Sequence, residues 1–354
     1  MSSLLSRGLA ALGLSLALAA QAALPTYRVD FVDLPTADQW LKYDLPLSLN
    51  DRGEVLILRP YWQRSTYVVW VPETGALHEW HSRLEGTSVH AFNAAGQVGG
   101  QLSDGAAFVG DRNGGVQRLD ALSPGRPSDV NRLNNQGVAT GAGGVADDEW
   151  HAFIWNADDG MTDLHPAEAL RSGGLDVNRH GRVAGYVAGA DGKRHAVVLA
   201  RDAAPQYLGC LPVSGQRQQA KVASKCRSEA IALNDGGQVI GNMNSFETSR
   251  AFVWSSDQGM REIKATHGGR AFVIDINNAG QVVGRQWQDG QSEQALYWDA
   301  AHGTHELWSL VAADDPLRNG FTSFFPTAIN QRGQILGHGI GPAGSGSVLL
   351  TPVR

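Results

Sequence analysis

Apolar positions in this chain come in short runs, and almost nowhere do they recur at the 3.6-residue spacing of a helix. Only HPAEALRS, around Ala167, allows a helical turn. Instead one phrase returns: an apolar residue and Asn, two variable residues, Gly, an apolar run and often a second Gly. INNAGQVVG from Ile276, LNDGGQVIG from Leu233, INQRGQILG from Ile329 and FNAAGQVGG from Phe92 are close copies. VNRHGRVAG from Val177, LNNQGVATG from Leu133 and LNDRGEVLI from Leu49 are looser ones. The phrase predicts a strand ending at the Asn, a tight turn, and a second strand. Asn at the first turn position bonds the backbone two residues on, and Gly at the fourth accepts the left-handed conformation that other residues resist.

The phrase glycines fall at Gly53, Gly96, Gly137, Gly181, Gly237, Gly280 and Gly333, between 41 and 56 residues apart. A second landmark follows in most units: Trp70, Trp155, Leu199, Trp254, Trp298 and Leu350. It closes a run such as HAFIW or RAFVW, rich in residues that fill a pleated, half-buried surface. A Gly-containing turn and a fourth short run come next. Seven four-stranded units predict an all-β, seven-bladed β-propeller with the Trp or Leu as core between blades. A β-solenoid is the competing architecture, but it needs end caps that no segment here supplies. The seventh unit stops after its third strand, SVLLTPV, while YRVDFVDLP near the N-terminus reads as a fourth strand without its first three. Tyr27 to Leu34 is therefore expected to pair with the last blade, closing the ring and leaving neither terminal edge unpaired.

Residues 1–22 read as a secretory signal peptide and 23–354 as a single propeller domain: Arg7, an apolar run from about Leu9 to Ala20, then a small-residue cleavage site at Ala20-Gln21-Ala22. No other apolar stretch approaches membrane-spanning length. These features predict export to the periplasm or beyond the cell. Charged residues are few (18%) and Gly is abundant (43 of 354), which suits many tight turns. A net charge of −6 argues against a nucleic-acid partner. Cys210 and Cys226, an even count in an exported chain, favour a disulfide over two free thiols.

INNAGQVVG and HAFIW, recurring together, resemble the HAF-type extracellular repeat family of bacterial exported proteins, over nearly the whole mature chain. The resemblance implies an extracellular or periplasmic repeat protein and brings no catalytic residues. AAFVG in the second unit and HAVVL in the fourth depart from the Trp pattern.

Function is less legible. The Asn-x-x-Gly turns and the turns after the Trp should share one face of the disc, and the longer connections the other, where a rigid scaffold presents loops for binding. Aromatics gather near the connections between second and third strands: Trp62, Trp150, Tyr186 and Trp287, flat rings of the kind that stack on sugars. The Cys-bearing excursion carries Arg217 and Lys221, which suit an anionic polymer. Asp147-Asp148-Glu149 and Asp314-Asp315 lack the alternating spacing of a Ca²⁺ loop. There is no Gly-x-Ser-x-Gly elbow, no HExxH and no phosphate-binding loop; GPAGSGS reads as a plain loop. The expectation is a non-catalytic binding module without cofactor or metal, for carbohydrate, another surface polymer or another exported protein. The alternative is a propeller-type hydrolase or lyase with its site at the channel mouth. Charged side chains from three or more blades meeting in one cleft would favour that alternative; a channel filled with small or apolar residues would exclude it.

Overall fold

The computed structural model describes residues 23–32, 44–59, 66–80, 87–212, 226–243 and 249–353. They form seven four-stranded antiparallel sheets arranged as the blades of a propeller. In blades 1 to 7 the first strands are Leu45–Leu49, Ser88–Phe92, Ser128–Leu133, Arg171–Val177, Ser228–Leu233, Arg270–Ile276 and Ser323–Ile329. First strands of neighbouring blades touch one another around the axis, so the strand that precedes each Asn is innermost.

Each blade hides its faces against its neighbours. Trp70, Trp155, Trp254 and Trp298 are 5 to 8% exposed, and Leu199 and Leu350 are buried as deeply. Trp155 of blade 3, for example, sits in one cluster with Ala91, Ala107 and Val109 of blade 2. Blade 2, which has Gly110 at the landmark position, keeps the same four-strand order.

The ring closes as the sequence predicts. Thr26–Val32 pairs antiparallel with Gly344–Val353, with Val29 opposite Leu350, and becomes the outermost strand of blade 7. The two carboxylates at 314 and 315 help hold it: Arg28 donates to Asp314 at 2.8 Å, and the Val29 N–H donates to the buried Asp315 at 3.0 Å. Cys210 and Cys226 form a disulfide, with Cα atoms 6.3 Å apart.

Two local expectations are corrected. HPAEALRS forms turns rather than a helix, because His165 bonds both Ser172 and the Ala169 carbonyl and holds the segment folded onto blade 4. The Ser345-Gly346-Ser347 part of GPAGSGS lies in the last strand, paired with Ile340, Gly339 and His338, with Ser347 also opposite Val32, rather than in a loop.

The repeated Asn does more than make a turn. In all seven units its Oδ1 accepts the N–H four residues on, and the phrase Gly sits at φ between 71 and 81°. Its Nδ2 donates to the main-chain carbonyl of the Asn in the next blade, at 2.9 to 3.2 Å, in the order Asn50, Asn93, Asn134, Asn178, Asn234, Asn277, Asn330 and back to Asn50. The second Nδ2 hydrogen goes to the Glu or Gln after the Gly in five units: Glu54, Gln97, Gln238, Gln281 and Gln334. This closed ring of side-chain staples explains both the Asn and the Gln of the phrase.

Candidate functional site

Every first strand carries a β-bulge three residues before its Asn, where the pairing register slips by one residue. Bulges bend a strand and re-aim the side chains beside them. The residue after the bulge is Ser48, Ala91, Ala232 or Ala328 in four blades, but Arg132, Asp176 and Asp275 in blades 3, 4 and 6. These three line a cavity of about 340 Å³ at the axis, under the Asn ring. Arg132 Nε lies 3.6 Å from Asp176, and its Nη2 3.8 Å from Asp275. Each Asp is anchored by two backbone N–H groups: Val177 and Leu233 for Asp176, Ile276 and Ile329 for Asp275.

Burial dominates the electrostatics. It raises Asp275 to about 6, with Asp176 pushing the same way and Arg132 opposing. Asp176 is raised for the same first reason. For Arg132, burial works against the charge, but Asp275 and Asp176 outweigh it and raise the pKa. Because Asp275 is raised, its ionised form is the costly one in the fold. Its contribution to stability is therefore greatest when protonated and fades as pH climbs from about 4 to about 6. We expect a ¹³C titration of the Asp275 carboxyl to show a midpoint near 6, and Arg132→Met to move it higher. A midpoint in the ordinary range near 4 would contradict this environment.

The second concavity, about 540 Å³, lies at the opposite end of the first strands, on the face of the longer connections. Blade 3 contributes Trp150, from the start of its third strand; blade 4 contributes Tyr186, from its second. The Tyr186 ring lies over the first strand of its blade at Gly173, where a Cβ would come within 2.8 Å of the ring. Arg194 stacks on the same ring, its guanidinium 4.0 Å from the centroid, and donates to Glu229 at 2.9 Å. Such a stack holds an aromatic plane in place. Arg171 is exposed and makes no hydrogen bond or ion pair among the described residues. Asp129 faces His90 at 3.2 Å. The groove thus offers two aromatic rings, of which Tyr186 is held in place, one guanidinium without a partner among the described residues, and hydrogen-bonding groups of both kinds.

No family model matches this chain, and no curated protein matches it. Solved structures do. A catalytically inactive virginiamycin B lyase from Staphylococcus aureus, with quinupristin, superposes with a TM-score of 0.56 at 10% identity, over 92% of this chain and 100% of that one. The β-propeller domain of the Trilobed protease from Pyrococcus furiosus gives 0.57 at 9% identity, over 88% and 94%. Puromycin hydrolase gives 0.57 at 12%, over 86% of this chain and 51% of that one. At these identities the likeness establishes the propeller fold alone.

Of the residues singled out from sequence, Trp150 and Tyr186 come together in the groove. Trp287 sits in blade 6, in a separate shallow depression with His267. Trp62, Arg217 and Lys221 lie outside the described residues. Asp147 pairs with Arg126. His151 stacks on His165 with ring centroids 3.6 Å apart and faces Asp163 at 2.8 Å. Sequence reasoning missed Arg132, Asp176, Asp275, Arg171 and Arg194. The first three could have been found by aligning the seven units and asking where charge replaces Ser or Ala two residues before the Asn.

Proposed function

We propose that this protein is an exported, non-catalytic binding module that takes an anionic saccharide in the groove between Trp150 and Tyr186. The observation that carries this reading is the meeting, in one concavity, of two aromatic rings with Arg171, which has no side-chain partner among the described residues. Aromatic faces suit the apolar faces of sugar rings, planar polar side chains suit hydroxyls, and a free guanidinium suits a carboxylate or sulfate. The leader-like residues 1–22, the disulfide and the HAF-type repeat pattern support export to the periplasm or the exterior, where surface polymers are met. Among the described residues no helix is long and apolar enough to cross a membrane.

The test is thermal unfolding of the mature protein against a glycan panel. Hexuronate-containing oligosaccharides should raise the midpoint, with about 2.7 kcal/mol of stabilisation at a hundredfold over the dissociation constant. Trp150→Ala should abolish the shift without lowering the ligand-free midpoint by more than a few degrees. A shift that survives Trp150→Ala would place the ligand elsewhere, and a flat response across the panel would reject the saccharide.

A second reading, a hydrolase or lyase working at the other mouth of the channel, is favoured by the convergence of Arg132, Asp176 and Asp275 from three blades. Against it, Arg132 offsets one of the two carboxylates, and among the described residues no His or Cys lines that cavity. Turnover of any substrate that is lost in Asp275→Asn would establish it.

A further inference from the structure

The cavity under the Asn ring has features that a structural brace does not need. The Arg132 side chain makes no hydrogen bond among the described residues. Its closest approaches to the two carboxylates, 3.6 and 3.8 Å, are too long for one. Its donors therefore face the cavity unsatisfied. Each carboxylate oxygen of Asp176 and Asp275 that is engaged accepts one backbone N–H, which leaves lone pairs free. In the four other blades the same position is Ser or Ala, so the charge belongs to this cavity and not to the blade design.

The rim shows where a ligand enters. The residue after each Asn forms an outer ring, in which its N–H donates to the side chain of its counterpart in the next blade. This happens at five junctions: Ala94 to Asn135, Arg179 to Asp235, Asp235 to Asn278, Asn278 to Gln331 and Gln331 to Asp51. It fails where the next residue has no acceptor, at Ala94 and at Arg179. The first gap is bridged by Asn135 donating to Asp51 at 2.6 Å. The second, between blades 3 and 4, has no such bridge among the described residues. Those are the blades that carry Arg132 and Asp176.

We propose that this cavity is a second binding site, for a small zwitterion whose ammonium and carboxylate are one or two carbons apart, such as an α-amino acid. A lone anion would suit Arg132 but meet two carboxylates, and a lone cation would suit the carboxylates but meet Arg132. A zwitterion satisfies both sets with charge-assisted hydrogen bonds, roughly twice as strong as neutral ones. The two ligand charges must be close together because one guanidinium already reaches toward both carboxylates. The rim acids Asp51 and Asp235 are committed to Gln331, Asn135, Arg179 and Asn278, so recognition falls to the inner three. The site is on the opposite face from the saccharide groove and stands or falls independently of it.

The experiment is calorimetric titration of the mature protein at pH 7 with glycine, L-alanine, L-serine and β-alanine. Glycinamide, N-acetylglycine and glucose serve as controls. At least one zwitterion should bind, at least tenfold more tightly than its amide or N-acetyl counterpart. Arg132→Lys, which keeps the charge but not the planar fork, should weaken it at least tenfold, while Trp150→Ala leaves it unchanged. Affinity should also fall as pH drops below about 6, where Asp275 gains a proton beside Arg132 and Asp176, within a rim carrying Asp51, Asp235 and Arg179. No heat from any zwitterion, equal binding of glycinamide or N-acetylglycine, or glucose binding that depends on Arg132 would each overturn the proposal. If Arg132→Lys failed to fold, the wild-type panel alone would still decide.

Discussion

Tyr27→Ala should destabilise the propeller by about 3–5 kcal/mol, the range for deleting a fully buried large aromatic. Tyr27 is 0% exposed although it lies only a few residues into the folded chain. It packs with Tyr297, Leu307, Val311 and Leu350, side chains drawn from blades 6 and 7 and the segment between them. Its carbonyl accepts the Ala312 N–H at 2.8 Å, so backbone and side chain both tie the N-terminal strand to the segment between blades 6 and 7. Loosening that strand exposes the edge of blade 7 and opens the ring, so the loss should appear as global unfolding at lower urea. Tyr27→Phe gives the contrast. The Tyr27 hydroxyl is buried without a hydrogen-bond partner among the described residues, so removing it should be neutral or slightly stabilising. A urea midpoint for Tyr27→Ala within experimental error of wild type would mean that the N-terminal strand is dispensable.

Asn277→Ala should cost about 2–4 kcal/mol, because four hydrogen bonds of a 1% exposed side chain are lost together. Two of them make the turn, through the N–H groups of Ala279 and Gln281. The other two are donated, to Gln281 Oε1 at 2.7 Å and to the Asn330 carbonyl of the next blade at 3.1 Å. Asn277→Asp separates the two functions. Aspartate makes the same kind of turn, but it places a carboxylate against two acceptors and cannot donate. If the staple matters, Asn277→Asp should be nearly as destabilising as Asn277→Ala. If only the turn matters, it should be close to wild type. Chemical denaturation of the three proteins side by side reads the difference. The staple also accounts for Asn in all seven turns where Asp would have served the turn alone.

The blades were legible because each repeats one local solution: Asn-x-x-Gly sets a turn, and the Trp or Leu fills the space against the preceding blade. Ring closure was legible because an orphan strand at Tyr27 matched a missing one after Val353. The staples were not, since a donor aimed at the next blade looks the same in sequence as a turn residue. The bulges were hidden too: they insert a residue of no fixed type, such as Leu47, His90 or Asn131, and leave no composition signal. The groove was half legible. Trp150 and Tyr186 stood out as aromatics beside the right connections, but Arg171 and Arg194 belong to strand starts that are ordinary until the fold sets them around those rings. Trp287 met the same sequence criterion and went elsewhere, because blade 6 lies two blades beyond blade 4 around the ring.

Occupancy of the groove is measured most directly by calorimetric titration with a hexuronate tetrasaccharide at low and at high salt, for the wild-type protein and for Arg171→Ala. We expect binding that weakens with salt, drops at least tenfold in Arg171→Ala, and exceeds that of a neutral glucan of the same length. Equal affinity for the neutral glucan, or an Arg171→Ala protein that binds as the wild type does, would contradict an anionic saccharide in the Trp150–Tyr186 groove.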